Sequence, residues 1–289
     1  MIQLYTDTNS DITLQEAIKY GYKLIKMPYL IDGVEHYPYK DWDVFDYHTY
    51  YDSLRKGVMP TTCAISPMAY LEYFEEDFKN GNDILYVHFS RNMSGTFNAM
   101  NLALEELKER YPERKIYLID TKGITIMSNI IVKEIGDMFL DGKSVEEIMA
   151  WAEKEVDHYA TYFFADTLTF FKRSGRVSGV SAVMGNLIGI KPIIYMNDEG
   201  KMTNIGKERG RHNAVKRLLT YVDELAVDIK NKSVIIGHTD ALEIAQSIGE
   251  QLKDKYGSGL KIEYVPVNPT AGSHCGPDTV GIAFYAKHR

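Results

Sequence analysis

Cysteine is nearly missing from the sequence: 289 residues contain two, Cys63 and Cys275, far apart in the chain. That excludes a disulfide framework and makes a reducing cytoplasm the expected location. No apolar run reaches the ~18 residues that a membrane-spanning helix needs. The first residues, Met1 to Asp7, show no basic region followed by an apolar core, so they are not read as a secretory signal. Positive charge is not in excess either. A formal charge of −7 argues against general binding to nucleic acid or to an anionic membrane. The local basic groups, Lys172, Arg173 and Arg176 and then Lys207 to Arg217, read as solvated surface. The short motifs of familiar chemistries are absent as well. There is no G-x-x-x-x-G-K-[ST], no G-x-G-x-x-G after a strand, no G-x-S-x-G and no H-E-x-x-H. The two cysteines are not spaced as zinc ligands. His274 and Cys275 are neighbours, and on an extended chain neighbours point to opposite sides, which argues against a Cys-His pair.

What is present is a chain of ordinary globular composition, 45% apolar and 25% charged, long enough for two domains or one large one. It is organised around Asp83 to Asn98. Ile84 to Phe89 is a short run of β-formers, as in a strand buried on both faces. Ser90 to Gly95 is polar and reads as a loop, and from Thr96 onward Phe97, Met100, Leu104 and Leu107 recur at helical spacing. A helix starting at Ser94-Gly95 presents unpaired N–H groups and a partial positive charge, a seat for an anion. The plainer reading is that Ser94 caps its own helix.

Taken in order, Ile2–Thr6 reads as a strand, Leu14–Tyr20 as a helix and Lys23–Leu30 as a second strand. Asp32-Gly33 signals a hairpin pairing back through Glu35–Tyr39. Asp43 is expected to cap a helix over Val44–Lys56, and Ser66-Pro67 to start another through Met68, Leu71, Phe74 and Phe78. Lys115–Ile119 reads as a buried strand, Thr125–Leu140 as a helix, and Ser144 with Glu147 as a capping box for a helix to about Val156. Repeated strand, loop and helix predicts a parallel sheet flanked by helices, with ligands gathering beyond the carboxyl ends of its strands.

The second half predicts a mixed sheet with helices. Tyr159–Ala165 is a strand, Leu168–Lys172 a helical turn, Val180–Ile188 a small-residue helix, and Ile190–Met196 with Lys201–Gly206 a hairpin. A helix over Asn213–Leu225, strand Ser233–Gly237, helix Ala241–Tyr256 and strand Lys261–Val267 follow. Ala271–Pro277 reads as a loop before a last strand, Val280–Tyr285. A boundary near Val156 to Tyr159 divides the α/β chain into residues 1–157 and 158–289, although no linker composition marks it.

The chemistry on offer is a set of hydrogen-bond donors: Thr61, Thr62, Ser94, Arg209 and His274. Singly, the threonines suit a turn, Arg209 a surface charge and His274 a hydrogen-bonded loop residue. As a series they read differently. Thr6-Asp7-Thr8 with Asp11, Pro60-Thr61-Thr62, Ser94-Gly95-Thr96-Phe97, Asp120-Thr121, Ser174-Gly175-Arg176-Val177, Lys191-Pro192, Arg209, and His274 with Gly276-Pro277 resemble the serial landmarks of the DegV family. Their order and spacing span the chain. The resemblance implies a two-domain bacterial α/β protein that is not an enzyme and needs no cofactor. It implies one bound long-chain fatty acid, its carboxylate held by Thr62, Ser94, Arg209 and His274, with Thr61 adjacent, and its acyl chain in an apolar tunnel. Ile124, Ile126, Phe163, Phe164, Val183, Met184, Leu187, Ile188 and Ile190 are the apolar supply.

The resemblance further implies presentation of the acid to a fatty acid kinase, which makes acyl phosphate for phospholipid synthesis. Transient membrane contact is compatible with that role. The basic group Lys172, Arg173 and Arg176 is the candidate face for the kinase. The sequence departs from the family pattern at Cys63-Ala64-Ile65, where Ser-Gln-Pro is frequent. It departs again at Thr125, Met127 and Asn129, usually Ser, Gly and Gly, and at Asp278-Thr279, usually Gly-Ala. The alternatives are an enzyme acting on an acyl or small carboxylate substrate through Ser94 and His274, and a phosphate- or nucleotide-binding module using the same strand ends.

Overall fold

The computed structural model describes residues 1–179 and 189–289. The helix expected over Val180–Ile188 lies outside the described residues. The first half runs β1 (Ile2–Asp7), α1 (Leu14–Tyr20), β2 (Tyr22–Ile25), β3 (Tyr29–Ile31), β4 (Val34–His36), α2 (Tyr47–Arg55), β5 (Thr61–Thr62), α3 (Pro67–Lys79), β6 (Asp83–His88), α4 (Thr96–Arg110), β7 (Ile116–Asp120), α5 (Ile126–Leu140) and α6 (Val145–Glu155). The second runs β8 (Tyr159–Phe164), α7 (Thr169–Ser174), β9 (Val177–Ser178), β10 (Ile190–Met196), β11 (Met202–Arg209), α8 (Gly210–Leu225), β12 (Val234–His238), α9 (Leu242–Tyr256), β13 (Ile262–Pro266), α10 (Pro269–Cys275) and β14 (Val280–Tyr285).

The first sheet has the order β2-β1-β6-β7 and is parallel throughout. Its centre is the organising strand, where Ile84 to Val87 are fully buried. The second sheet, β13-β12-β14-β8-β10-β11-β9, is mixed: β12–β13 and β9–β11 pair in parallel and the rest antiparallel. A small antiparallel sheet, β4-β3-β5, completes the first half. Alternation along the second sheet's strands separates two layers. Ile235 and Ala283 face one core with α5, while Val234, Ile236 and Ile282 face the other with α8 and α9. Helix α5 buries Ile126, Met127, Ile130, Ile131, Val132 and Ile135, so it is apolar almost all round. Such a helix needs cover on every side, and α5 finds it against β8, β12 and β14 and against the turn after β1.

Local chemistry explains where elements begin and where the expectations fail. Ser66 accepts the Ala69 N–H with Pro67 at the first helical position, and Ser144 with Glu147 forms both bonds of its capping box. Asp32 and Gly33 both have positive φ, as the β3–β4 turn requires. The strand expected over Lys23–Leu30 is two strands in two sheets, broken at Pro28, which has no N–H to donate. The helix expected from Val44 starts at Tyr47, because Asp46 rather than Asp43 caps it. Strand β7 is an edge, so only Ile119 of it is buried. The Ala271–Pro277 loop is mostly helix: Asn268 accepts the Ala271 N–H at 2.9 Å and Pro269 opens α10.

Candidate functional site

The loops at the carboxyl ends of β1, β6 and β7 converge. Asp7, fully buried, ties two of them by accepting from the Tyr86 hydroxyl (3.0 Å) and from the backbone N–H of Phe89 (3.1 Å) and Asn9 (3.0 Å). Burial pushes its carboxyl up to about 7 despite these bonds. Between these loops, α10, β5 and the inner face of the second sheet lies a narrow cavity. Its walls are mainly apolar, with Phe89, Ile124, Ile126, Phe163 and Val267 prominent. Of the other apolar residues expected there, Phe164 faces the opposite core and Ile190 is not on the wall. Val183, Met184, Leu187 and Ile188 fall outside the described residues.

Three of the five candidate donors share this cavity: Thr62, Ser94 and His274 line it. The Thr62 hydroxyl lies 3.0 Å from His274 Nε2. Strand alternation then turns Thr61 outward, where it is exposed. Ser94 is half-buried. Its hydroxyl oxygen accepts the Thr96 N–H at 3.2 Å, while the cap position of α4 belongs to Gly95, which has no side chain to bond with. A Cβ built on Gly95 would meet nothing, since the residue is exposed and off the cavity wall. Arg209 is exposed at the end of β11 and is not on the wall. Arg211 is not on it either; it pairs with Asp166 at 2.7 Å and Asp278 at 3.6 Å.

The cation on the wall is Arg176. It stands just after Gly175, whose left-handed conformation (φ 64°) ends α7 and turns the chain back. Its neighbour Arg173 donates to the carbonyls of Met59 (2.7 Å), Pro60 and Ser273 (3.5 Å), and so braces β5 against α10 and holds Thr62 to His274. Of the basic group expected to face a partner, only Lys172 is exposed without such an engagement among the described residues. The Ser-Gly-Arg-Val landmark carried this signal, but sequence separation hid where Arg176 would point.

Burial, reinforced by the charges of Arg176 and Arg173, lowers His274 from 6.5 to about 4, so the free ring is neutral near neutral pH. Burial likewise pushes the Cys275 thiol up to about 12 and raises Cys63, whose thiol faces Glu35. Both cysteines line the cavity as protonated thiols. Among the described residues His274 bonds to Thr62 and not to Ser94, and no carboxylate reaches its ring. Among these described residues no group of His, Cys, Asp and Glu is arranged to hold a metal, and no helix is long and apolar enough to cross a membrane. The arrangement is a set of hydroxyls, a neutral imidazole and the guanidinium of Arg176, itself exposed and donating to the Ser174 carbonyl at 2.6 Å, on the wall of a mainly apolar cavity that also carries Asn9, Thr161 and Thr270. A carboxylate offers about four acceptor sites that such donors fill without a metal.

Comparison with known proteins gives the same outline. The model of the DegV family, described as uncharacterised proteins, matches residues 1–287. A DegV domain-containing protein of Clostridium perfringens is 32% identical over 282 residues, covering 97% of this chain and 96% of its own. Among solved structures, a DegV family protein of Thermus thermophilus described by its fatty acid binding superposes with a TM-score of 0.86 at 24% identity, over 99% of both chains. A stearic acid-binding protein of Eubacterium ventriosum gives 0.85 at 21% identity, again over 99% of both. At those identities the structures speak for a shared fold.

Proposed function

The chain belongs to the DegV family, and from that membership we propose that it binds one long-chain fatty acid and presents it to a partner rather than transforming it. The observation that supports this most is a cavity whose mainly apolar wall also carries Thr62, Ser94, His274 and Arg176. The carboxylate sits at these four donors, with Arg176 in the place first given to Arg209, and Thr61 acts only through the strand it shares with Thr62. The acyl chain runs along the apolar wall. At ~0.8 kcal/mol per buried CH₂, about 14 methylenes give a gross gain of order 11 kcal/mol, reduced by the ordering of a flexible tail. The partner is a fatty acid kinase that phosphorylates the bound acid, with brief contact with a lipid surface when acid is loaded. The absence of an acidic partner for His274 among the described residues favours binding over acyl transfer by Ser94 and His274.

The test compares an acid with its methyl ester. Ser94→Ala removes one donor to a partly buried anion, which costs about 1.5–3 kcal/mol, or roughly ten- to 150-fold in affinity. Displacement of a fluorescent fatty acid should register that loss for the acid and much less of it for the ester. Equal losses for both, or a burst of product from an activated acyl ester that Ser94→Ala abolishes, would count against the proposal.

A further inference from the structure

The cavity wall holds much of the sulfur of the described residues. Both cysteines line it, and so do four of the eleven described methionines: Met27, Met93, Met196 and Met202. The backbones that carry these methionines are tied. Met27 donates its N–H to the Thr8 hydroxyl and accepts from that of Thr270, both at 2.9 Å. Met196 and Met202 are directly opposed across the β10–β11 ladder, so their side chains are neighbours on one face. The hairpin tip that joins them is fastened to the loop bearing Met93. There Ser90 donates to the Gly200 carbonyl at 2.7 Å and Asn92 Nδ2 to that of Glu199 at 2.6 Å. Beside Gly200 there is no slack: a Cβ built on it would overlap Ser90 Oγ and press on Lys122.

The frame is therefore fixed, and beside the stiffer Phe89, Ile124, Ile126, Phe163 and Val267 it carries four of the most adaptable side chains that apolar walls are built from. Methionine is unbranched, turns about three bonds and is polarisable, so it re-packs around differently shaped ligands. Ile, Val or an aromatic ring at those four positions would fix one shape. We infer that the methionines of this cavity make it permissive for tail shape, so that straight, cis-unsaturated and methyl-branched long-chain acids all bind with similar affinity. This rests on the proposed function, since it names which acids that site takes.

The experiment measures dissociation constants of the delipidated protein for three acids of similar carbon count: a saturated straight chain, a cis-monoenoic and a methyl-branched one. The same set is measured for the Met93→Leu/Met196→Leu/Met202→Leu variant, a near volume-conserving change that stiffens the wall. The native protein should hold all three acids within about threefold of one another. The variant should keep one shape and lose at least one other by about tenfold or more. In the native protein labelled at the methionine methyls, the wall signals should move to different positions with each acid. Should the triple variant fail to fold, Met196→Leu alone is expected to open the same spread to a smaller extent. A native protein that separates the three acids by more than about tenfold, or leucine variants that treat them all as native does, would overturn the inference while leaving fatty acid binding intact. Binding of none of them would overturn both.

Discussion

Thr62 and His274 stand 212 positions apart in the chain and meet at 3.0 Å. No local pattern around either residue encodes that meeting; the fold does, through the Arg173 brace on Pro60 and Ser273. Thr62, Ser94 and His274 were legible as a set because the motifs around them were, whereas the arginine was not. Arg209 ends a strand and Arg211 lies in the helix after it, and the sequence has no way to say that Arg176, after a left-handed glycine, is the one on the cavity wall. The neutral state of His274 was equally hidden, since it arises from burial and from two arginines. It leads to a prediction. A carboxylate placed beside the ring favours the imidazolium, so the bound-state pKa rises above about 4. The stabilisation of the complex by that charge is complete below the free-state value and is lost as pH rises through the bound-state value. Nitrogen-15 spectra of His274, titrated with and without a long-chain acid, should show the upward displacement. An unchanged or lowered value on binding would place the carboxylate elsewhere.

Among the elements, those with a cap and a period were readable: α1, α3, α6 and β14 fall where the residues put them. Helix α10 was missed although Asn268-Pro269 repeats the cap-and-proline signal that located α3, because the seven-residue helix is too short for an apolar period to show. Helix α5 was readable as a helix but not in how it begins. Thr125 enters it at φ 54°, ψ −128°, a conformation that suits glycine and that a β-branched residue adopts only under strain. The strain is worth about 1–3 kcal/mol, against the ~0.5–1 kcal/mol that glycine costs through the unfolded chain. Thr125→Gly is therefore expected to raise thermal stability modestly, read as the midpoint of unfolding. A clear fall would mean that the threonine side chain contributes more on the cavity wall than its backbone loses.

At the scale of the whole molecule, the two-sheet outline and the parallel order of the first sheet follow from alternating strand and helix patterns, while the joint between the halves does not. The division into residues 1–157 and 158–289 is retained as a proposal. Across that joint α5 packs on the second sheet, and Asp11 accepts from the Asn268 N–H (2.9 Å) and Nδ2 (2.6 Å), holding the start of α10. Burial raises Asp11 from 3.8 to about 7 despite both bonds from Asn268, and its second oxygen has no partner among the described residues. A folded-state value above the unfolded one gives a contribution that is complete below about 3.8 and lost as pH rises through about 7. The melting-temperature difference between Asp11→Asn and native protein should thus shift in favour of the asparagine as pH climbs from about 3.8 to about 7 and then level off; a difference independent of pH would mean that Asp11 does not titrate there.

The most direct test of the central claim is native mass spectrometry of the delipidated chain incubated with an excess of a long-chain fatty acid, with its methyl ester and a nucleoside triphosphate as parallel ligands. The account predicts that the chain retains one fatty acid per molecule, holds the ester more weakly and does not hold the nucleotide. A spectrum of the bare chain alone with the acid, or retention of the nucleotide in its place, would contradict it.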